Sequence, residues 1–473
     1  MAKDTRPPLC FVHPRIVPLA GPPRSAMIVE QGRIVGFGQA PGTEVVTLPG
    51  AAVLPAFADA HLHLFPLIEG AVGVDCRPAR TIADLLKLIR DAPGTGWVRA
   101  TRYDLGADHP TRQDLDTVQR RPVRLLHRTG HLAVMNTAAF AAIPERVRVR
   151  GEAGGFVERD AAGEVTGRLW EPGAWLAGEV LPPLDDDEVS RGLAAVATRL
   201  FSLGITAVHD ASPTNDAARL ALWRRVVPPF RLLVLPGEGR LGPSDPTFPA
   251  LGPTKLMLPD EADALPTVEE LASRLVAADR PVAIHAVIHQ AVRLAVEAIL
   301  LAGARESRIE HAAEWPPDLF APARAAGLRV VLHPGWVRER ATRYLRQIDP
   351  EILPWLHRGE SFRGAGIPFW FGSDAPASEP DPLGAVATAV TRHAVDGTLL
   401  GVDEALPLWA ALHATTGGRA ALDYQSIDGA LRVGAAADFI VLDRDPFDIP
   451  AEEIATVRVL ETYQNGERVW PER

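Results

Sequence analysis

The middle of the chain alternates short apolar runs with longer stretches in which apolar residues recur at helical spacing. Uninterrupted apolar runs are typical of buried strands, and a spacing of three or four residues is typical of amphipathic helices. The predicted strands are 53–58, 122–127, 205–209, 230–235, 254–258, 281–285, 307–310, 328–333 and 367–372. The predicted helices include 82–91, 187–203, 268–279, 289–302, 317–326, 383–394 and 403–414. This alternation predicts βα units and a parallel sheet.

A closed βα barrel has eight strands, and the pattern offers one more than that. We interpret 230–235 as the accessory strand. Thr267, followed three residues later by Glu270, predicts a capping box at the start of helix 268–279.

Both ends of the chain predict β-hairpins instead of βα units. Gln31-Gly32 separates two β-rich runs within residues 26–38, and Asn465-Gly466 does the same within 457–470. A further apolar run occupies 437–443. We therefore predict one β module built from residues 1–52 and 425–473, with a larger domain, 53–424, inserted between them. Residues 132–186 break the alternation, and we interpret them as an insertion that acts as a lid.

Composition limits the classes of function. Of 473 residues, 47% are hydrophobic and 23% charged, which is typical of a globular protein. The net charge of −10 argues against a nucleic-acid partner. Cys10 and Cys76 are the two cysteines, which fits a reducing compartment and excludes a cysteine-rich zinc site. With neither a secretory signal nor a membrane-length apolar run, we expect a cytoplasmic protein without a membrane partner.

The stretch VLPAFADAHLHL, residues 53–64, joins an apolar strand to the pair His61 and His63. Residues two apart in an extended chain point to the same side, so these imidazoles converge beyond the strand end. Converging imidazoles are typical of a metal site. Taken alone, the pair is equally compatible with two incidental histidines.

Other predicted strands end in similar residues. His285 ends PVAIH, His311 ends RIEH, and Asp374 follows FWFGS. In α/β barrels the carboxyl ends of the strands meet at one face, which is where the active site lies. Four histidines and an aspartate in successive strand-end positions therefore predict a metal centre.

Lys255 lies inside the apolar run GPTKLML and is one of few lysines: of 49 basic residues, only Lys3, Lys87 and Lys255 are lysine. A buried ammonium is costly, and a neutral amine can react with carbon dioxide to give an anionic carbamate. The alternative is an ion pair with Asp260 or Asp374.

These motifs resemble the amidohydrolase superfamily, specifically its family-3 branch of YtcJ-like and N-substituted formamide deformylase-like hydrolases. The matching segments span most of the chain. They are VLPAFADAHLHL (53–64), PVRLLHRTGHLAVMNTAAF (122–140), TGRLWE (166–171), LGITAVHDA (203–211), GPTKLM (252–257), VAIHAV (282–287), RIEHA (308–312), GSDAP (372–376) and GALRVGAAADFIVLDRDPF (429–447).

The resemblance implies a distorted (β/α)8 barrel with a β-sandwich module from both termini. It also implies a divalent metal centre, most often zinc. On this model His61 and His63 bind the first ion, His285 and His311 bind the second, and carbamylated Lys255 bridges them. A single ion remains if Lys255 is unmodified.

The implied reaction is hydrolysis of a non-peptide amide-type C–N bond by metal-bound hydroxide. Asp374 would contact the first ion and serve as general base and then as general acid.

Substrate contacts follow less directly. His131 and Asn136 match a family segment near the substrate, although both residue types are common loop hydrogen-bonders. Glu171 and Trp170 lie in the predicted lid, where the alternatives are a surface carboxylate and a core aromatic.

The chain also departs from the family pattern. Relatives tend to carry Gly-Asp where this chain has Ile288-His289, and Gln-Pro where it has His333-Pro334. His289 and His333 are therefore candidates for substrate contacts, extra metal ligands or neither.

Other functions fit the same scaffold. An aminohydrolase (deaminase) or a cyclic-amide hydrolase would release different products from the same centre. A non-catalytic binding or assembly protein is a third alternative, although such relatives lose metal ligands and this chain retains them. We expect a small-molecule substrate, and a homo-oligomer is compatible with the resemblance.

Overall fold

A computed structural model describes residues 7–128, 130, 132–143, 156–170, 181–241, 250–278, 280–418 and 429–472. The chain divides into two compact units, one formed by Met1–His63 with Ala197–Arg473 and the other by Leu64–Val196. Within the described residues, no helix has both the length and the apolar character that a membrane crossing requires.

The two ends of the chain share one eight-stranded sheet in the first unit. Its strands, in spatial order, are Glu467–Trp470, Val459–Gln464, Phe439–Leu442, Ala52–Pro55, Leu9–Ile16, Arg24–Glu30 and Arg33–Phe37, and Glu44–Thr47 pairs with Leu9–Ile16. Both predicted hairpins are confirmed. Phe439 stacks on Tyr463 with ring centroids 4.4 Å apart, in a core that joins N-terminal and C-terminal residues. The second layer of a sandwich stays a prediction.

The first unit also contains two parallel sheets, so the α/β class is confirmed. The four-stranded sheet has the order Ala250–Leu251, Arg231–Val234, Ile205–Asp210 and Phe57–Leu62. The five-stranded sheet has the order Thr254–Met257, Val282–Ala286, Arg308–His311, Arg329–Leu332 and Phe369–Phe371. Parallel bridges between Leu62 and Ala375 and between Gly237 and Lys255 connect the two sheets. Parallel pairing brings the carboxyl ends of neighbouring strands to one edge.

One strand assignment was wrong. The predicted accessory segment 230–235 supplies Arg231–Val234, which pairs in parallel with Ile205–Asp210. The strand that lies elsewhere is Val123–His127, which belongs to the sheet of the second unit. Both segments are short apolar runs, and only their long-range pairing distinguishes them.

The helices of the first unit largely follow the predicted pattern. Its α-helices are Ala217–Arg225, Val268–Ala277, His289–Ala302, Phe320–Ala325, Pro334–Gln347, Glu360–Ala365, Pro382–Thr391 and Leu408–Gly417. Its 3₁₀ helices are Ala262–Ala264, Pro317–Leu319, Leu353–Trp355, Val402–Glu404 and Ala451–Thr456. The capping box of Thr267 and Glu270 is confirmed. Pro334–Gln347 was not predicted, because its many arginines obscure the small buried face around Trp336 and Val337.

The second unit contains a six-stranded sheet and short helices, and the last residues of the helix Asp186–Ser202 are assigned to the first unit. The strand order is Phe156–Arg159, Val165–Trp170, Leu132–Met135, Val123–His127, Val98–Tyr103 and Val74–Asp75. The helices are Leu64–Val72, Ile82–Arg90, Arg112–Val118, Thr137–Phe140 and Asp186–Ser202. The described part of the predicted insertion, 132–186, adds three strands to this sheet, and its role as a lid stays a prediction.

Candidate metal centre

Four histidines and an aspartate meet at the carboxyl ends of the parallel strands. They form two groups, His61 with His311 and His333, and His61 with His63 and Asp374, and the potential ligand atoms of each group lie within 4.8 Å of one another. His61, His311, His333 and Asp374 are buried, and the His63 side chain is 26% exposed. Of the predicted ligands, His61, His63, His311 and Asp374 belong to these groups, whereas within the described residues His333 takes part and His285 does not. Metal binding by these residues stays a prediction.

Backbone contacts fix the first and last strands of this set to each other. The N–H of Asp374 donates to the carbonyl of His61 at 2.7 Å, and the N–H of His63 donates to the carbonyl of Ala375 at 2.8 Å. The carboxylate of Asp59 accepts the N–H groups of His61 and Ser373 at 3.1 and 2.9 Å. Burial raises the pKa of Asp59 to about 6 although these hydrogen bonds oppose the shift.

The backbone around the centre is closely packed and unusual. A Cβ at Gly372 would lie 2.6 Å from the Cβ of His61, so only glycine allows these segments to approach. His311 has a φ of 72° and Asp374 a φ of 61°. Non-glycine residues rarely adopt this left-handed conformation, and such strain concentrates at functional sites.

Hydrogen bonds fix which ring nitrogen of His61 is free. Its Nδ1 forms a short contact with the carboxylate of Glu310, which also binds the guanidinium of Arg308. Because a carboxylate accepts, Nδ1 carries the proton and Nε2 has an unshared electron pair. A carboxylate on the distal nitrogen of a histidine is the usual arrangement of a metal ligand.

His63 lies between a hydroxyl group and a carboxylate. Its Nδ1 is 3.3 Å from Oγ of Ser212, which itself donates to Asp210 at 2.6 Å. The Ser212 oxygen is then the acceptor for Nδ1–H, so Nε2 of the neutral ring has no proton to donate to Asp374, 3.1 Å away. Two acceptors then face each other and repel. A cation between them, or a second proton on the His63 ring, removes this repulsion.

Electrostatics keep the other ligands in the form that binds metal. Burial, with the nearby charge of Lys255, holds the pKa of His61 well below its usual range, and burial together with His285 does the same for His311. Burial would raise the pKa of Asp374, but the hydrogen bond and charge that His63 supplies when its ring carries the second proton outweigh burial, and the pKa is lowered. Neutral imidazoles and an ionised carboxylate are the metal-binding forms.

The chemistry of the donor set fits a divalent metal. Within the described part of the chain, Nε2 of His61, Nδ1 of His311, Nε2 of His333 and Nζ of Lys255 are buried without a hydrogen-bond partner. Buried polar atoms are rarely left unpaired, and several converging nitrogen donors beside a carboxylate are the ligand type of zinc.

Lys255 and His285 lie beside this group. Among the described residues the Lys255 side chain has no hydrogen-bond partner, so the alternative in which it pairs with Asp260 or Asp374 is not what the structure contains. Asp260 instead lies 3.2 Å from Nε2 of His285, whose ring centroid is 4.5 Å from that of His311. Burial lowers the pKa of Lys255 to about 8 against the opposing charge of Glu310.

Two of the predicted substrate contacts lie in the second unit. Asn136 is fully buried, and its side chain accepts from two backbone N–H groups and donates to two carbonyls at 2.9–3.1 Å. These bonds give it a helix-capping role. The indole of Trp170 donates to Glu158 at 2.9 Å, and its ring contacts His109. Their substrate roles stay predictions.

The remaining candidates divide between the first unit and undescribed segments. His289 begins the helix His289–Ala302, and both its backbone N–H and its Nδ1 contact the carboxylate of Glu314, at 3.0 and 2.9 Å. His131 and Glu171 lie outside the described residues.

Sequence reasoning missed Glu310, Asp59 and Ser212 as parts of the centre. The available signal was an acidic residue within the short buried strand RIEH, since a buried carboxylate requires a partner. Ser212 carried no comparable signal, because a serine after a strand is common in loops.

The chain is similar to known proteins over most of its length. The model of the amidohydrolase family matches residues 44–470. The chain is 26% identical to the putative amidohydrolase YtcJ of Bacillus subtilis, over 94% of this chain and 96% of that protein. It is 28% identical to the N-substituted formamide deformylase of Arthrobacter pascens, over 93% of this chain and 94% of that protein.

Solved structures resemble the fold. An uncharacterized metal-dependent hydrolase from Pyrococcus furiosus superposes with a TM-score of 0.75 and 22% identity, over 93% of this chain and 100% of that chain. An uncharacterized metal-dependent hydrolase from Pyrococcus horikoshii superposes with a TM-score of 0.76 and 22% identity, over 94% of this chain and 99% of that chain.

Proposed function

Because the chain belongs to the amidohydrolase family, we propose that it is a metal-dependent enzyme that hydrolyses a non-peptide, amide-type C–N bond of a small molecule. Membership of this family makes the chain a hydrolase that acts on carbon–nitrogen bonds. We further propose which type of bond it cleaves, which metal it binds and which residues take part. Its main support is the convergence of His61, His63, His311 and Asp374, with buried unpartnered nitrogens, at the strand ends.

We propose zinc as the metal, held by His61, His63 and Asp374 on one side and by His311 and His285 on the other. Support comes from the nitrogen-rich donor set, which zinc prefers among the common divalent ions. When bound, the metal lowers the pKa of water towards neutrality and polarises a carbonyl group.

Asp374 is the proposed general base and acid. Its carboxylate is ionised at neutral pH, because the lowered pKa keeps it unprotonated. It lies 3.1 Å from Nε2 of His63 and 3.5 Å from Nε2 of His61, so it faces the space that these nitrogens enclose. A carboxylate there can take a proton from water and return it to a leaving amine.

Lys255 is proposed to carry a carbamate that bridges two ions. Nζ attacks the carbon of carbon dioxide, and the N–C bond forms as the pair of one C=O π bond moves onto oxygen. The nitrogen then releases a proton to water, which leaves the carbamate anion. A pKa of about 8 leaves part of the lysine neutral near physiological pH, as this reaction requires. Without the modification, we propose one ion.

The same proposal includes a (β/α)8 barrel. Its support is the parallel pairing of the two sheets together with the bridges Leu62–Ala375 and Gly237–Lys255 between them. A cytoplasmic location is proposed on the basis of the buried free thiols Cys10 and Cys76.

Metal removal tests the function. Treatment with a chelator should abolish hydrolysis of N-substituted formamides and simple anilides, and zinc should restore it. Product analysis should find formate or another carboxylate together with an amine. Release of ammonia from an aminated heterocycle would instead identify an aminohydrolase, and full activity of protein with no bound metal would contradict the proposal.

Replacing Lys255 by Met tests the carbamate. Protein equilibrated with ¹³C-labelled carbon dioxide should give a carbamate resonance that Lys255→Met loses and the exposed control Lys87→Met keeps. Loss of a bridge should lower kcat by about 10²-fold or more, since metal-based catalysis contributes several kcal/mol. In metal-free protein kept without carbon dioxide, where Lys255 is unmodified, the free energy of unfolding should not fall, because Met replaces a buried amine that has no hydrogen-bond partner among the described residues. An unlabelled wild-type lysine would contradict the bridge.

A further inference from the structure

His333 has one ring nitrogen that the surrounding protein leaves free. It follows the strand Arg329–Leu332 and is completely buried. Its Nδ1 lies 2.7 Å from the carbonyl oxygen of Gly372. Because a carbonyl only accepts, Nδ1 carries the proton and Nε2 carries an unshared pair. That Nε2 is buried and has no hydrogen-bond partner in the part of the chain that the structure describes.

The free nitrogen belongs to the metal centre. The potential ligand atoms of His61, His311 and His333 lie within 4.8 Å of one another. Nε2 of His61 also has no proton, because Nδ1 is bonded to Glu310. Electron pairs that converge in a buried space repel one another and cannot hydrogen-bond to each other. A cation placed among them satisfies all of these nitrogens at once.

The His333 ring is held in place as a ligand must be. It stacks on Trp336 with centroids 5.1 Å apart and planes inclined by 21°, and His311 stacks on the same indole at 5.1 Å and 16°. The following residue, Pro334, starts a helix and restricts the backbone. Rigid support of this kind, with the other ring nitrogen bonded to a carbonyl group, is typical of metal ligands.

We propose that His333 binds a divalent metal ion directly through Nε2, as the third imidazole beside His61 and His311. This rests on the proposed function in so far as it requires a metal centre. It assigns His311 to the ion of His61. It therefore differs both from the zinc set proposed above and from the set implied by the family resemblance, in which His311 is joined by His285. His61 belongs to both groups of potential ligands and has one free nitrogen. The ion that this nitrogen binds therefore lies within reach of ligands from both groups.

Ligand deletion is the first test. Zinc affinity of purified wild type, His333→Gln and the control His289→Gln is measured by competition with a chromophoric chelator. We expect His333→Gln to lose more than the roughly 10–100-fold that the loss of an outer-sphere partner costs. His289→Gln should bind like wild type, because His289 lies 2.9 Å from Glu314 and outside both histidine groups.

Ligand exchange gives a positive signal. In His333→Cys loaded with cobalt(II), a thiolate at the metal should give an intense near-ultraviolet charge-transfer band, absent from wild type and from His289→Cys. This measurement also answers the question if His333→Gln fails to fold. A cobalt-loaded His333→Cys without the band, or unchanged zinc affinity in a folded His333→Gln, would overturn the proposal. Wild type that binds no metal would overturn the proposed function as well, so the two failures are distinguishable.

Discussion

Replacing Asp374 by Asn should lower kcat for amide hydrolysis by about 10³-fold, within the range that general acid–base catalysis contributes. Asn keeps the size of the side chain and can occupy the same position beside His63, but it cannot take a proton. Its neutral amide also leaves the converging imidazoles without a negative partner. The loss should therefore appear mainly in kcat, together with weaker metal binding.

The measurement is steady-state hydrolysis at saturating zinc, with metal content determined on the same samples. A matched control is Asp381→Asn in the following loop. Asp381 caps the helix Pro382–Thr391 by accepting the N–H of Gly384, and an Asn oxygen accepts it equally well. Asp381→Asn should therefore change both stability and activity little. If Asp374→Asn keeps kcat within threefold of wild type while zinc is bound, Asp374 is not the general base.

Replacing Glu310 by Gln should lower the free energy of unfolding by about 3–5 kcal/mol, as expected when one partner of a buried ion pair is removed. The Glu310 side chain is fully buried and the Arg308 side chain is 3% exposed, so the guanidinium would lose its carboxylate within the protein interior. The same carboxylate holds Nδ1 of His61. Zinc affinity should therefore fall by about 10–100-fold, the usual effect of losing such a partner.

Urea unfolding of the metal-free protein measures the loss of stability without any contribution from zinc. Competition with a chelator on the folded protein measures the loss of zinc affinity. Glu314→Gln is the control, because Glu314 pairs with His289, whose side chain is 31% exposed. We expect Glu314→Gln to change the free energy of unfolding by less than about 1 kcal/mol. Stability and zinc affinity both equal to wild type in Glu310→Gln would contradict the role assigned to this carboxylate.

The sequence was sufficient to predict the convergence of His61, His311 and Asp374. Strands that run in parallel end at the same edge, so residues at their ends meet whatever their separation in sequence. The sequence was not sufficient to decide which of the segments 230–235 and 122–127 joins the parallel sheets of the first unit. Both are short apolar runs, and the choice between them depends on pairing with distant strands.

The adjacent pair Glu310 and His311 shows why part of the centre could not be predicted. Neighbouring residues of a regular strand point to opposite faces, so one of these two side chains would be expected to point away from the site. The left-handed φ of 72° at His311 breaks this alternation, and both side chains contact His61. No local pattern predicts a left-handed histidine. The free nitrogen of His333 likewise depends on a bond to Gly372, which is distant in sequence.

Diffraction from zinc-loaded crystals on both sides of the zinc absorption edge would locate the metal at this centre. We expect an anomalous peak at about 2.0–2.1 Å from Nε2 of His61. Nitrogen atoms of His63, His311 or His333, or the Asp374 carboxylate, should complete its coordination. An anomalous map with no peak at His61, from crystals of protein whose hydrolysis depends on added zinc, would contradict this expectation.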